Sequence, residues 1–140
     1  MLRLVLDTNT ALSALLWGGT PARLVAAARA GDISLWTSQP LLDELRGVIH
    51  REKFAKALAV RGLAPEDLFN GYAALCQHAG LQPIPRTSVD PDDDQVLATA
   101  LAARAHLIVS GDHKHLVILK QFEGIPIVPA AQALAIVEAR

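Results

Sequence analysis

Acidic side chains suited to binding a metal ion recur at four separated places along this 140-residue chain. They are Asp7, Glu44, the pair Asp93 and Asp94, and Asp112. Carboxylates that share one pocket repel one another, and the repulsion raises their pKa values until some are neutral. A hard divalent cation removes this conflict, because Mg²⁺ and Mn²⁺ prefer oxygen ligands and tolerate several waters. We therefore expect these acids to converge on a cation site, with Asp94 as an outer or alternate ligand to Asp93.

The chemistry that such a site supports is phosphodiester hydrolysis. Two hard cations about 3.5 to 4 Å apart can hold a phosphodiester and stabilise both its attacking and its leaving oxygens. Neither histidine nor cysteine occupies the predicted ligand positions, which argues against a zinc hydrolase. The pattern favours a hydrolase that uses one or two Mg²⁺ or Mn²⁺ ions.

The acids must be positioned by strands that alternate with helices. Four short apolar runs predict buried strands, and their continuous hydrophobicity is typical of a parallel sheet covered on both faces. Helical patterns separate them, including one that begins at Thr20-Pro21 and one that begins at Ser38. The predicted strands are Leu2–Leu6, Ile33–Trp36, Leu107–Val109 and Ile125–Val128, and the predicted helices cover about 10–17, 21–30, 39–49, 53–60, 65–78, 91–105 and 130–139. This alternation predicts a single α/β domain over residues 1–140.

Two of the acids come just after predicted strands, Asp7 at once and Asp112 after Ser110-Gly111. Asp7 and Asp112 should emerge at the carboxyl edge of the sheet, where functional groups of parallel sheets gather. Asp7 has a simpler alternative role as the cap of the next helix. Asp112 has one as a turn residue, since Gly111-Asp112 is a favourable turn sequence.

The other acids lie on predicted helices. Glu44 could be an ordinary solvated charge, but it borders the apolar stripe of its helix, and this position favours a carboxylate that binds a cation. Asp93 precedes Val96 by three residues, on the stripe that the following apolar residues define. Acids in a first helical turn are also stabilised by the helix dipole alone, and Asp90 before a proline is a natural cap.

Basic and aromatic side chains carry weaker signals. The segment 46–61 holds a cluster of cations that is either a solvated face or a contact to the phosphate backbone of a nucleic acid, with Arg46, Arg51 and Lys53 as candidates. His113, Lys114 and His115 are further candidate contacts to nucleic acid. Trp17 and Trp36 are expected to be core or interface residues, with base stacking as the alternative, and Cys76 is expected to be buried.

Composition excludes several classes of protein. Half of the residues are hydrophobic (51%) and only 19% are charged, which excludes disorder, and a net charge of -1 excludes a polybasic nucleic-acid binder. A single cysteine excludes an internal disulfide and a multi-cysteine zinc site. No apolar run reaches the ~18 to 20 residues of a membrane span, and no signal peptide is recognisable, so we expect a cytoplasmic protein.

Four motifs in order resemble the PIN-domain ribonucleases. They are Val5-Leu6-Asp7-Thr8-Asn9, Ser38 through Leu41-Leu42-Asp43-Glu44-Leu45, Asp90-Pro91-Asp92-Asp93-Asp94, and Ile108-Val109-Ser110-Gly111-Asp112. Each motif is weak alone, but four at whole-domain spacing are fairly specific. The order and spacing are most similar to the PIN-family (VapC-like) toxins of bacterial toxin–antitoxin systems.

The resemblance implies a three-layer α/β/α fold with a mostly parallel, Rossmann-like sheet, and endoribonuclease activity dependent on Mg²⁺ or Mn²⁺. It also implies a homodimer and a small cognate antitoxin. The family's acidic quartet matches Asp7, Glu44, Asp93 and Asp112, and its supporting polar positions match Asn9 and Ser110. Asp94 stands where the family often has asparagine, and Ser110 stands where threonine is common.

Two other functions remain open at this stage. One is a PIN-fold module that binds RNA or protein without catalysis, against which the intact quartet argues. The other is an aspartyl-phosphate phosphotransferase, which also uses an Asp after the first strand. That alternative is weakened because Asp7 has no acid beside it and no lysine is well placed after a late strand.

Overall fold

The computed structural model describes residues 1–81, 84, 91–112 and 116–140. Its helices are α1 (Thr8–Leu16), α2 (Gly19–Arg29), α3 (Gln39–Ile49), α4 (Glu52–Val60), α5 (Pro65–Leu75), α6 (Pro91–Ala103) and α7 (Ala130–Glu138). Its strands are β1 (Leu2–Leu6), β2 (Ile33–Thr37), β3 (Gln77–His78), β4 (Leu107–Val109), β5 (Gln121–Phe122) and β6 (Ile125–Val128), with a 3-10 turn at Val117–Leu119. Within those ranges, no helix combines the length and apolar character needed to cross a bilayer.

The strands form a mostly parallel sheet in the order β3-β2-β1-β4-β6-β5. Strands β3, β2, β1, β4 and β6 pair in parallel, and β5 pairs antiparallel with β6. The central pair β1 and β4 is flanked on both sides, so both strands are buried and can consist of continuous apolar residues. The predicted α/β class and its mostly parallel sheet are confirmed.

Helices cover both faces of this sheet. Leu4 and Leu6 point into the larger core, which they share with α1, α2, α3, α5 and α7. Val5 between them points to the opposite face, where it packs with Leu97 of α6 and Ile108 of β4. Successive side chains of a strand alternate between faces, so one short strand supplies both cores. The three-layer arrangement is confirmed.

Several predicted boundaries were wrong. Helix α5 ends at Leu75, and Gln77–His78 then forms the edge strand β3 because the backbone turns extended at Cys76. Helix α2 begins two residues before the predicted Pro21, after Gly18, whose φ of 79° suits glycine. Asp90, considered from the sequence as the cap of α6, lies in the segment 85–90, outside the described part of the chain.

Candidate active site

The two strand-end acids lie side by side because β1 and β4 are neighbours in the sheet. Leu6 is in register with Val109, so the chain leaves both strands at the same edge. The Asp7 backbone N–H extends the pairing by one residue and donates to the Val109 carbonyl at 3.0 Å. Ser110 and Asp112 therefore follow β4 next to the start of α1.

Both carboxylate oxygens of Asp7 accept hydrogen bonds from the protein. Oδ1 accepts from the backbone N–H of Thr10 at 2.8 Å, which makes Asp7 the cap of α1. Oδ2 accepts from the Ser110 hydroxyl at 2.5 Å, and that hydroxyl oxygen in turn accepts from the Asp112 N–H at 2.9 Å. The capping role considered from the sequence is thus real, and it coexists with a position at the edge of the sheet. The two bonds fix the orientation of the carboxylate.

Burial makes the ionised form of Asp7 unfavourable. Asp7 is only 6% exposed, and this burial raises the pKa of its carboxyl group above the ordinary value. The hydrogen bonds from Ser110 and Thr10 oppose this rise, while the nearby charge of Asp112 adds to it. A positive charge placed near Asp7 would relieve both the burial cost and the repulsion.

Four carboxylates from separate segments line one pocket of about 100 Å³. The pocket is lined by Asp7, Thr8, Asn9, Glu44, Asp93, Val96 and Asp112. The structure therefore brings together the end of β1, the middle of α3, the first turn of α6 and the end of β4. Asp94 is 7% exposed and is not among the lining residues, so the pair of acids in α6 is divided between the pocket and the interior.

A buried hydroxyl pair joins the two helices that carry Glu44 and Asp93. The Ser38 hydroxyl lies 2.7 Å from the Thr99 hydroxyl, and Thr99 donates to the Gln95 carbonyl at 2.7 Å. Ser38 occupies the predicted cap position of α3, but its side chain makes no capping hydrogen bond. Its hydroxyl instead connects the start of α3 to α6. Both residues are fully buried, so this contact fixes how α3 and α6 meet.

The composition of the pocket suits a hard, hydrated cation. The polar side chains that line it offer carboxylate, hydroxyl and amide oxygens, and oxygen atoms are the ligands that Mg²⁺ and Mn²⁺ prefer. In the described ranges, no three Asp, Glu, His or Cys side chains are grouped closely enough to hold a metal ion by themselves. Mg²⁺ commonly binds one or two carboxylates directly and keeps several waters, so it does not need a closed protein cage. The residues present fit a cation held partly through water.

A larger groove of about 470 Å³ adjoins this pocket. Asn9 and Asp112 line both cavities, and the groove continues past Ser13 of α1 to Pro21 of α2 and Ala130 of α7. Asn9 is exposed and Ser13 is half-buried, so this side of α1 faces solvent. The groove gives an extended ligand a route to the carboxylates.

The predicted basic residues Arg46, Arg51 and Lys53 are not among the residues that line the carboxylate pocket. Arg46 is two positions after Glu44, which places it about 200° around α3. Its guanidinium forms an ion pair with Glu66 and lies 4.9 Å from the centre of the Phe69 ring. Arg51 and Lys53 are exposed, while the candidate contacts at positions 113–115 lie outside the described residues.

Sequence reasoning missed two residues around the site. Thr8 lines the pocket directly beside Asp7, and Thr99 was not singled out. A polar residue within the apolar stripe of α6 was the available signal for Thr99. Trp17, interpreted from the sequence as a core or interface residue, is 61% exposed in the chain, which excludes the core role and leaves the interface and base-stacking roles open. Its exposure depends on the position of α4, which local patterning does not show.

Comparison with known proteins gives one family and one fold. A family model described as PIN domain matches residues 3–114. The crystal structure of VapBC2 from Rickettsia felis, bound to a DNA fragment from its promoter, is similar with a TM-score of 0.61 and 14% identity, over 90% of this chain and 97% of that chain. No curated protein matches the sequence significantly. The identity to the solved structure is low, so that likeness shows the fold, while the matched length of the family model shows the family.

Proposed function

The chain belongs to the PIN-domain family, and we propose that it is a divalent-cation-dependent endoribonuclease serving as the toxin of a bacterial toxin–antitoxin pair. The observation that carries the nuclease proposal is the single pocket lined by Asp7, Glu44, Asp93 and Asp112. Four separated segments deliver an acid to this one place. Carboxylate oxygens gathered in one place are the ligands that Mg²⁺ and Mn²⁺ prefer, so a divalent cation is the ligand that this pocket suits.

The residues of the site divide into cation ligands and supporting groups in this proposal. Asp7, Glu44, Asp93 and Asp112 would hold one or two Mg²⁺ or Mn²⁺ ions, with Asp94 as an outer or alternate ligand. When bound, such ions neutralise the charge on a scissile phosphate and assist the attack of water. Ser110 keeps Asp7 oriented through its 2.5 Å hydrogen bond, and Asn9 lies where the pocket opens into the groove. RNA lying in that groove would bring a phosphate to the carboxylates.

The proposed partners rest on the family resemblance. The similar solved structure is a toxin–antitoxin complex on promoter DNA, which supports a small antitoxin as the partner of this chain too. A homodimer and a cytoplasmic location are proposed on the same basis. Arg46, Arg51 and Lys53 are proposed as weak contacts to the RNA backbone. Of these, Lys53 and Arg51 are the more accessible to a phosphate, because Arg46 is already paired with Glu66.

An RNA cleavage assay with two matched variants tests the proposal. Purified protein is incubated with single-stranded RNA in Mn²⁺, in Mg²⁺ and in EDTA, and the product ends are identified. We expect cation-dependent internal cuts that leave 5′-phosphate and 3′-hydroxyl ends. Asp93→Asn should abolish cleavage, while Asp43→Asn, which changes an exposed acid of α3 that does not line the pocket, should retain most of it.

Two outcomes would contradict the proposal. Equal cleavage by the wild type and by Asp7→Asn would remove the assigned role of that carboxylate. Tight RNA binding without cleavage in either metal would favour the non-catalytic binding module. Calorimetric titration with Mn²⁺ separates these cases further, because the nuclease requires a bound cation whereas a binding module does not.

A further inference from the structure

An exposed tryptophan stands at the end of the helix that begins in the carboxylate pocket. Trp17 directly follows α1 and is 61% exposed. Its ring meets Phe54 of α4 edge-on, with ring centres 6.4 Å apart and an angle of 65° between the planes. This contact holds the indole in place while leaving most of its surface to solvent. A large aromatic group held in this way has the properties of a stacking platform.

Trp17 continues a row of α1 side chains that line the larger groove beside the carboxylate pocket. Asn9, Ser13 and Trp17 are spaced by four, so they follow one another along one side of the helix. Asn9 lines both the pocket and the groove, Ser13 lines the groove, and all three are at least partly exposed. At 1.5 Å per residue, Trp17 is about 12 Å from Asn9 along the axis. A stacked strand rises about 3.4 Å per nucleotide, so this distance corresponds to about three or four nucleotides.

Two cationic side chains contact residues next to Trp17. Lys53 places its ammonium 4.9 Å from the centre of the Phe54 ring, which itself contacts Trp17. Arg61 donates a hydrogen bond to the carbonyl of Leu16, the residue before Trp17. An aromatic face with positive charges beside it is the combination used to bind single-stranded nucleic acid, where the ring stacks on a base and the cations attract the backbone.

We propose that Trp17 is a base-stacking subsite for single-stranded RNA. An RNA strand lying along α1 would place the stacked base three or four nucleotides from the scissile phosphate. The proposal rests on the nuclease function proposed above and assigns part of its substrate contact. RNA is favoured over a protein partner because Lys53 and Arg61 supply charge complementary to phosphate, and because the row of α1 side chains leads from the indole to the carboxylate pocket.

Tryptophan fluorescence tests the stacking directly. The chain has two tryptophans, so Trp36→Phe leaves Trp17 as the only indole reporter. Adding single-stranded RNA of about ten nucleotides to the Trp36→Phe, Asp93→Asn protein should quench the emission saturably, whereas an oligonucleotide lacking its bases should bind with much less quenching. If anisotropy shows that RNA binds while the emission is unchanged, the proposal is overturned.

A second measurement does not depend on the Trp36→Phe background. In the otherwise natural chain, Trp17→Ala should weaken the binding of ten-nucleotide RNA about tenfold. The matched control is Val60→Ala, which shortens an exposed apolar side chain at the end of α4. Cleavage by Trp17→Ala should fall more for RNA long enough to span from the pocket to position 17 than for a dinucleotide. An equal loss in Trp17→Ala and Val60→Ala, or no loss in either, overturns the proposal and leaves the indole as a contact for a protein.

The two proposals fail in distinguishable ways. If the wild type cleaves no RNA but Trp17 emission is quenched by bases, the nuclease function fails and the stacking subsite stands. If the wild type cleaves RNA with the same efficiency as Trp17→Ala at every substrate length, the subsite fails and the nuclease function stands.

Discussion

The Ser110 hydroxyl donates a 2.5 Å hydrogen bond to Oδ2 of Asp7, a residue 103 positions earlier in the chain. The pairing of β1 with β4 makes this contact possible, because it brings the ends of the two strands to the same edge of the sheet. The other oxygen of Asp7 is held by the first turn of α1. The carboxylate is therefore oriented by protein groups alone, at a cost in burial that a cation would offset.

Removing the charge of Asp7 should stabilise the metal-free protein. Asp7→Asn keeps an oxygen that can accept from Thr10 and eliminates a buried carboxylate whose pKa is raised. In EDTA at pH 7 we expect the free energy of unfolding to rise, seen as an increase in Tm. With Mn²⁺ the order should reverse, because only the wild type gains stability from binding. Thermal unfolding in both buffers is the measurement.

The same variant gives a test against pH. An acid with a raised pKa in the folded state contributes stability that is present below its ordinary value of 3.8 and is lost as the pH rises through the folded value. In EDTA, the wild type should therefore lose stability relative to Asp7→Asn as the pH increases from about 4 towards neutrality. Asp43→Asn, on the exposed side of α3, is the control and should follow the wild type. A variant less stable than the wild type at pH 7 in EDTA would refute this account of Asp7.

The Ser110 hydroxyl should matter more than the bulk of its side chain. Ser110→Ala removes the donor to Asp7 and also the acceptor of the Asp112 N–H, so we expect a loss of about 1–3 kcal/mol in urea unfolding. Because that donor lowers the pKa of Asp7, the alanine variant should also bind Mn²⁺ more weakly near pH 6. Ser110→Thr keeps the hydroxyl and should retain Mn²⁺ affinity in calorimetric titration. Equal Mn²⁺ affinity in the alanine and threonine variants would contradict the assigned role.

The strands that carry the site were predictable because their hydrophobicity is continuous. Leu2–Leu6 and Leu107–Val109 are apolar runs followed at once by polar groups, so both the strands and the acids after them can be read locally. That β1 and β4 are neighbours, on which the whole pocket depends, is a long-range property. Here the resemblance to a known family supplied what the local pattern did not.

The missed elements have no local signal of comparable strength. Strand β3 is two exposed polar residues, and its pairing with Trp36 and Thr37 of β2 is what makes it a strand. The β5–β6 hairpin turns at Glu123-Gly124, both with positive φ. Asn-Gly or Asp-Gly would have predicted that turn from the sequence, whereas Glu-Gly is not a typical hairpin sequence. Ser38 was placed correctly at a helix start, but the buried partner of its hydroxyl is 61 positions away.

The Ser38–Thr99 pair should couple stability to metal binding. Thr99→Val leaves the Ser38 hydroxyl buried without this partner and should cost about 1–3 kcal/mol, whereas Ser38→Ala should cost less because Thr99 still donates to Gln95. The double variant should be more stable than the sum of the single losses predicts, by about 1 kcal/mol. Because the pair joins α3 to α6, Mn²⁺ should also bind more weakly to Thr99→Val. Additive losses with unchanged Mn²⁺ affinity would show that the pair does not position the acids.

Cys76 should be almost inert in the folded protein. The residue is 5% exposed, and burial raises the pKa of its thiol to about 12, with a hydrogen bond involving Tyr72 opposing part of the rise. Since the thiolate is the reactive form, alkylation at pH 8 should be about 1,000-fold slower than in the urea-unfolded chain from ionisation alone, given the ordinary value of 9.0.

The raised thiol pKa also fixes how stability changes at alkaline pH. Stability from the neutral buried thiol is complete below pH 9 and is lost as the pH rises through about 12, because the unfolded chain ionises first. Urea unfolding at pH 8, 9.5 and 10.5 should show a progressive loss that is smaller in Cys76→Ala, although that variant starts from a lower stability because it leaves a cavity. Mass spectrometry of the alkylated protein gives a simple readout, since the chain has one cysteine. Rapid labelling of the native protein at pH 8 would contradict the inertness assigned to Cys76, and equal alkaline losses in the wild type and Cys76→Ala would contradict the raised pKa of its thiol.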